Sequence, residues 1–345
     1  MDPLNEALLP HHATIRQALE RLNHGGACHT LFVVNDDRYL LGSLTDGDIR
    51  RGLLSGHELG TKVTEVMNPA PHTLTKRPGW SPELKEMRDQ GIRLLPILDD
   101  QGRVVRLVDL ERTRSVLPVD ALIMAGGRGE RLRPQTDTIP KPLIPIGGRP
   151  IIEHVLELLV RHGITDVSIS VNYLRERIMD HLEDGSALGM HIRYVHEEQP
   201  LGTAGALSLL KELRQDSLLL MNCDLLTGIA LDRMYDRFIT AGADLAIATT
   251  DHVVDLPYAI MELEDGRVRS FREKPSIAYP CNAGIYLMKQ QVVRAVPAGR
   301  PYNATDLIQE QLDQGRHVIA YPITEHWIDI GRHEDLERAG QNTAR

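Results

Sequence analysis

Leu122-Ile-Met-Ala-Gly-Gly-Arg-Gly-Glu-Arg-Leu-Arg-Pro134, followed after a short gap by Pro140-Lys-Pro-Leu-Ile-Pro-Ile-Gly147, decides how the chain is read. An apolar run gives way to a glycine-rich turn, then to arginines, then to a lysine held between prolines. That order is expected where a strand delivers a phosphate-binding loop to the edge of a sheet. Gly126, Gly127 and Gly129 lack the Cβ atoms that would keep phosphate oxygens away from backbone N–H groups. Arg131 offers a planar fork for two phosphate oxygens, whereas Lys141 offers a compact charge on a backbone restricted by Pro140 and Pro142. The turn is neither Gly-x-x-x-x-Gly-Lys-Ser/Thr nor the dinucleotide-type Gly-x-Gly-x-x-Gly.

Downstream, strand and helix patterns alternate, which predicts an α/β domain with a Rossmann-like, mostly parallel sheet over residues 118–345. Strands are expected at 121–124, 166–171, 191–195, 218–221 and 245–249, with helices at 151–160, 174–182 and 231–238 and another starting near Thr203. Asp224 follows the 218–221 strand, at the carboxyl end where open α/β sheets bind ligands. Asp329 closes a second apolar run, His326-Trp-Ile-Asp329. Two carboxylates can hold Mg²⁺, which takes oxygen ligands; the lesser alternative, for the residues in isolation, is that both merely cap helices.

Glu198-Gln-Pro-Leu-Gly-Thr-Ala-Gly205 joins a strand to a helix, and Gly202 lets a flat base approach closely. In Phe271-Arg-Glu-Lys-Pro275 and Cys281-Asn-Ala-Gly284, Glu273 suits paired hydroxyls, Lys274 a phosphate and Asn282 either. Taken alone, a Glu-Lys pair on a turn is solvated.

The first third has a different rhythm. Thr14 and Gln17 form a capping-box signal ahead of a helix that Gly25-Gly26 should end. Strands follow at 30–34 and 39–44, then Thr45-Asp-Gly-Asp48 leads into a helix. The order recurs more weakly over residues 63–116, with a helix near 82–90, strands at 93–98 and 104–108, and a short terminal helix. Two similar units predict a pseudo-symmetric module over residues 1–117. Thr45 and Asp48 are candidates for a ligand, and equally for a helix cap.

Bulk properties narrow the classes. With 39 Lys plus Arg against 48 Asp plus Glu, the 345-residue chain carries a formal charge of -9, which argues against broad attraction to nucleic acid or anionic membrane. Cys28, Cys223 and Cys281 are too dispersed for a metal motif or disulfide framework. Without an apolar run of about 18 residues or a signal-type N-terminus, the expectation is a soluble cytoplasmic protein.

Gly-Gly-x-Gly-x-Arg-Leu-x-Pro with Pro-Lys-Pro-Leu-x-Pro-x-Gly resembles the signature of the sugar-1-phosphate nucleotidyltransferases, over residues 120–341. The resemblance implies that a sugar 1-phosphate attacks the α-phosphorus of a nucleoside triphosphate, releasing pyrophosphate. It assigns catalysis to Arg131, Lys141 and Asp224, and Mg²⁺ to Asp224 and Asp329. Nucleotide contacts fall to Ala125, Gly126, Gly127, Gly129, Glu198, Gly202 and Thr203, and the sugar phosphate to Glu273, Lys274 and Asn282.

Residues 8–116 resemble a tandem CBS pair, in which Thr45 and Asp48 would hold an adenine nucleotide and the modules would pair face to face, giving a homodimer or higher homo-oligomer. A CBS pair ahead of this domain resembles guanylyltransferases of nonulosonate pathways, which implies GTP with glucosamine 1-phosphate or its N-acetyl form. Mannose, heptose or glucose 1-phosphate with GTP, UTP, CTP or dTTP is the alternative, and a non-catalytic nucleotide sensor is a third reading.

Overall fold

The computed structural model describes residues 3–24, 29–75 and 81–343, so Gly25-Gly26 and Cys28 lie outside the described residues. The chain divides into two compact units. One comprises Met1–Pro118 with Val160–Thr165 and Ser186–Met190, the other Val119–Leu159, Asp166–Gly185 and His191–Arg345.

The first unit contains the same small sheet twice. Helix α1 (Pro3–Ala7) leads into β1 (Leu8–Pro10), helix α2 (Ile15–His24), the hairpin strands β2 (Thr30–Val34) and β3 (Leu40–Thr45), and helix α3 (Asp46–Leu54). β1 pairs parallel with β2, and β2 antiparallel with β3. The second set, β4 (Leu74–Thr75), helix α4 (Ser81–Asp89), β5 (Leu94–Leu98) and β6 (Val104–Asp109), repeats both the parallel and the antiparallel pairing. After β6 the chain makes a turn where a short helix is expected. Each sheet covers its own apolar cluster, Leu31, Val33, Leu44 and Ile49 in one and Leu74, Leu84, Leu95 and Val108 in the other. Repetition of the pairing supports the pseudo-symmetric reading better than the sequence does, because strand direction survives substitutions that erase side-chain similarity.

The second unit is a mixed α/β layer structure. Its elements are β7 (Asp120–Met124), the short β8 (Pro145–Ile146) and β9 (Arg149–Pro150), α5 (Ile151–Arg161), β10 (Asp166–Val171), α6 (Arg175–Leu182), β11 (His191–His196), β12 (Ser217–Asn222), β13 (Leu225–Thr227), α7 (Leu231–Thr240), β14 (Leu245–Asp255), β15 (Ile260–Glu264), β16 (Arg267–Arg272), β17 (Ser276–Lys289), α8 (Gln290–Arg294), α9 (Ala304–Asp313), β18 (Val318–Pro322), β19 (Trp327–Asp329) and α10 (His333–Thr343). The seven-stranded sheet has the order β11-β10-β7-β12-β17-β14-β18. The first four strands run parallel. β17 is antiparallel to both of its neighbours, so the sheet is mixed rather than uniformly parallel. β7 and β12 are buried along nearly their whole length, as strands covered on both faces must be.

Two local expectations change. The helix expected near Thr203 is only a 3₁₀ segment, Gly205–Leu209. Gly202 and Gly205 in its approach disfavour a regular α-helix. Beyond Thr249, β14 and β17 continue as a two-stranded ribbon that β15 and β16 extend into a long hairpin arm. In β15 and β16 the cross-strand pairs Met261–Phe271 and Leu263–Val268 share one face, and all four residues are exposed.

Candidate active site

The site is built where β7 and β12 end side by side, Asn222 standing opposite Met124. From β7 the chain enters the glycine turn; from β12 it enters Cys223-Asp224. A cavity of about 290 Å³ opens there, lined by Ala125, Gly126, Gly127, Lys141, Glu197, Gly202, Thr203 and Asp224 among others. Residues far apart in sequence meet because strands β7 and β12 are sheet neighbours.

Lys141 is the only lysine among the buried residues described, with 9% of its surface exposed. It opens a 3₁₀ turn, Lys141–Leu143, between Pro140 and Pro142, and its ammonium donates to Asp224 Oδ2 in an ion pair. Holding a cation at that depth needs a carboxylate beside it. Gly129 makes room for the lysine. Its φ is +62°, and a Cβ there would come within 3.0 Å of Lys141 Cβ and Thr136 Cγ2. This glycine is therefore required by backbone conformation and packing; Gly127, with nothing within 4 Å, is the one that opens toward solvent.

Asp329 reaches the same place through a separate pair of strands. β13 and β19 run antiparallel with Leu225 opposite Asp329, and Ile330 N–H donates to Asp224 O at 2.9 Å. Burial, then the charge of Asp224, pushes the Asp329 carboxyl above the usual aspartate range, with Lys141 and Arg131 pulling the other way. Lys141, Asp224, Asp329 and Arg131 thus form one electrostatic cluster. Arg131 is exposed and its guanidinium lies against Gly331, where a Cβ would come within 3.4 Å of Nη1. Gly129, Arg131 and Asp329 are not among the residues lining the cavity itself. Two mutually repelling carboxylates, all-oxygen donors, one in the turn before β13 and one at the end of β19, fit a hard divalent cation such as Mg²⁺. Cys223 also lines the cavity, where burial pushes its thiol well up and disfavours the thiolate.

The opposite wall departs from the sequence reading by one residue. Glu198 is exposed and outside the cavity, whereas Glu197 is 4% exposed and lines it. Glu197 accepts from Ser170 Oγ and, at 2.9 Å, from Leu201 N–H. Asn172 donates to Glu197 O at 2.6 Å, a tie between the ends of β10 and β11. The burial along β11 does not alternate, Ile192 being buried and residues 193–195 all intermediate, so periodicity in the sequence does not single out Glu197 over Glu198. Gly202 has φ +78°, and a Cβ there would lie 2.6 Å from Asn303 Oδ1. Asn303 Oδ1 accepts from Thr203 N–H at 3.4 Å, and Thr203 Oγ1 from Ala304 N–H at 2.8 Å.

Glu273 and Lys274 are exposed on the arm and are not among the cavity's lining residues. Asn282 sits at the base of the arm, where its amide donates to Tyr286 Oη at 2.8 Å and accepts from Gly284 N–H at 3.0 Å. Trp327 Nε1 donates to Ala283 O at 3.0 Å, tying that base to β19.

In the first unit, a cavity of about 430 Å³ is lined by Thr30, Ser43, Thr45, Asp46, His72 and Arg93 among others, but not by Asp48. Asp48 closes a capping box. Its Oδ2 accepts from Thr45 N–H at 2.8 Å and from Thr45 Oγ1 at 2.6 Å, while Oδ1 pairs with Arg51 at 2.6 Å. These contacts form the helix cap on α3, and Thr45 lines the cavity as well. Among the described residues no helix is long and apolar enough to cross a membrane.

The nucleotidyl transferase family model matches residues 120–345 and the CBS domain model residues 5–55. A UTP–glucose-1-phosphate uridylyltransferase of Synechocystis is 32% identical over 239 residues, covering 64% of this chain and 62% of the relative. A mannose-1-phosphate guanylyltransferase of Mycobacterium tuberculosis is 33% identical over 235 residues, covering 66% and 65%. The chain thus spans slightly less than two thirds of each relative's length. A putative glucose-1-phosphate thymidylyltransferase from Bacillus anthracis shares the fold, with a TM-score of 0.54 at 24% identity over 65% of this chain and 94% of that one.

Proposed function

The chain belongs to the nucleotidyl transferase family and carries an N-terminal CBS domain, and from that premise we propose that it transfers a nucleoside monophosphate from a nucleoside triphosphate to a sugar 1-phosphate. The observation that carries this reading is the convergence of Lys141, Asp224, Asp329 and Arg131 beside one cavity at the strand ends. In the reaction an oxygen of the sugar phosphate forms a bond to the α-phosphorus as the bond to pyrophosphate breaks. The attacking oxygen is already ionised, so no general base is needed.

Lys141 neutralises charge that develops at the α-phosphate, and its burial strengthens that interaction relative to water. Arg131 takes the departing phosphates, and Ala125, Gly126, Gly127 and Gly129 present backbone to the triphosphate. Asp224 and Asp329 would hold Mg²⁺, which would supply further charge neutralisation and orient the phosphates. Gly202 and Thr203, with Glu197 behind them, form the wall for the base. Glu273, Lys274 and Asn282 take the sugar phosphate, which requires the arm to close when the acceptor binds. GTP is favoured as donor and glucosamine 1-phosphate or its N-acetyl form as acceptor. The CBS cavity beside Thr45 takes an adenine nucleotide, held through Thr45 and Asp46 with Asp48 kept as a cap, and the chain works as a homodimer or larger homo-oligomer with domains at 1–117 and 118–345.

The test is a matrix of nucleoside triphosphates against sugar 1-phosphates in the presence of Mg²⁺, read by pyrophosphate release. One productive pair is expected, with GTP the best donor. Nucleotide binding without turnover of any pair would favour a sensor instead.

A further inference from the structure

Far from the catalytic cluster in sequence, three metal-type donors meet at one end of the first small sheet. β1 and β2 run parallel with Pro10 opposite Val34, so the residues after each strand leave the sheet at the same end. Those residues are His11-His12 and Asn35-Asp36-Asp37. Both connections are fixed by backbone contacts: His11 N–H donates to Val34 O at 2.9 Å, and the Asn35 side chain accepts from Asp37 N–H at 3.1 Å and Tyr39 N–H at 2.9 Å. The rings of His11 and His12 stand edge to face, 5.3 Å apart. One ligand atom each from His11, His12 and Asp36 lies within 4.8 Å of the others.

A second observation is independent of that spacing. His11 Nδ1 is buried and has no hydrogen-bond partner among the described residues. Native proteins rarely leave a buried ring nitrogen unpaired, and a metal ion is one of the few partners that would satisfy it.

We propose that His11, His12 and Asp36 bind a divalent transition metal of zinc's class. Two imidazole nitrogens and a carboxylate suit zinc, cobalt or nickel, and disfavour Mg²⁺ and Ca²⁺, which prefer oxygen donors. Ligands about 2.0–2.1 Å from a tetrahedral ion stand about 3.3 Å from one another, so the donors must draw in by about 1.5 Å at most. His12 and Asp36 are exposed and make that adjustment by side-chain rotation, while His11 stays in place. The fourth position is left to water. Bound there, the ion joins the connection after β1 to the turn after β2 and stabilises the first unit without taking part in catalysis.

The experiment uses the full chain, stripped of metal and titrated with Co²⁺ and then Zn²⁺. Expected are the visible absorption of four-coordinate cobalt, its displacement by Zn²⁺ but not by excess Mg²⁺, and a higher melting temperature with Zn²⁺. His12→Ala and Asp36→Asn lie on exposed turns and should fold like the natural chain by circular dichroism. Each should weaken Co²⁺ and Zn²⁺ binding by at least about tenfold, whereas Asp329→Asn should leave the cobalt spectrum unchanged. The chain has 15 histidines, so equal affinity and spectrum in the natural chain and both turn variants would place the binding elsewhere and overturn the proposal. Absence of any micromolar-range Co²⁺ or Zn²⁺ binding would overturn it as well.

Discussion

Lys141 and Lys274 belong to two regions of one unit that are built in opposite ways. Lys141 is nine-tenths buried, presented by a proline-flanked turn and paired with Asp224 at the end of a central strand. Lys274 stands exposed on the hairpin arm, with a left-handed φ of +41° and the uncovered apolar pairs Met261–Phe271 and Leu263–Val268 just beyond it. A two-stranded ribbon with no layer against it is marginal in water, whereas a strand in the middle of a seven-stranded sheet is held from both sides. The difference separates the proposed chemistry into a preorganised half, which faces the triphosphate, and an adjustable half, which faces the acceptor. Preorganised charges stabilise a transition state without reorganisation cost; groups on an arm contribute to binding only after the arm is ordered.

The largest test of that contrast is Lys141→Ala. Loss of a preorganised charge should lower kcat by about 10²- to 10³-fold, measured by pyrophosphate release at saturating substrates; turnover close to that of the natural chain would remove the lysine from the site. Asp329→Asn should depress turnover comparably and yet raise stability. A carboxyl whose folded pKa is raised costs stability above that pKa and ceases to do so below it, and Asp329 is raised by burial and by Asp224. The amide removes the cost at neutral pH, so a lower melting temperature in the absence of metal would contradict the electrostatic account.

Gly202→Ala tests how rigid the base wall is. Its positive φ and the approach of Asn303 Oδ1 and Tyr302 O, 2.6 and 2.9 Å from an added Cβ, should cost about 1–3 kcal/mol in urea unfolding. On the arm, Lys274→Ala should raise KM for the sugar phosphate roughly tenfold, the loss of one charged hydrogen bond, with kcat for the remaining chemistry less affected and stability unchanged. An equal fall in kcat and kcat/KM would instead make Lys274 part of the preorganised half. The smallest effect is expected from Thr45→Ala, about 1 kcal/mol through loss of the cap on α3, read as a fall in the melting temperature of the first unit.

Much of the preorganised half was legible in the chain because its signals are local. A buried strand, a glycine turn, a proline-flanked lysine and a strand-end aspartate each announce themselves within a dozen residues, and the parallel order of the first four sheet strands follows from their alternation with helices. Glu197 was less legible than Glu198 because both are glutamates at a strand end, and only tertiary partners, Ser170 on β10 and the Leu201 amide, distinguish the one that turns inward. Asp48 shows the converse: its spacing from Thr45 satisfies a capping box and a ligand motif equally, and its hydrogen bonds to Thr45 form the cap.

Residue types and short-range spacing were enough to name the fold class and to single out the glycine loop, since strand periodicity, turn chemistry and side-chain charge act within a few residues, while the lysine and the two aspartates received their catalytic and metal roles only through the family resemblance. The adjacency of Asp224 and Asp329, the antiparallel β17 within the sheet, the uncovered arm that carries Glu273 and Lys274, and the meeting of His11, His12 and Asp36 were decided only by the tertiary structure. Each depends on which strands pair and on what covers them, and that choice rests on the burial energy of the assembled layers rather than on any one segment.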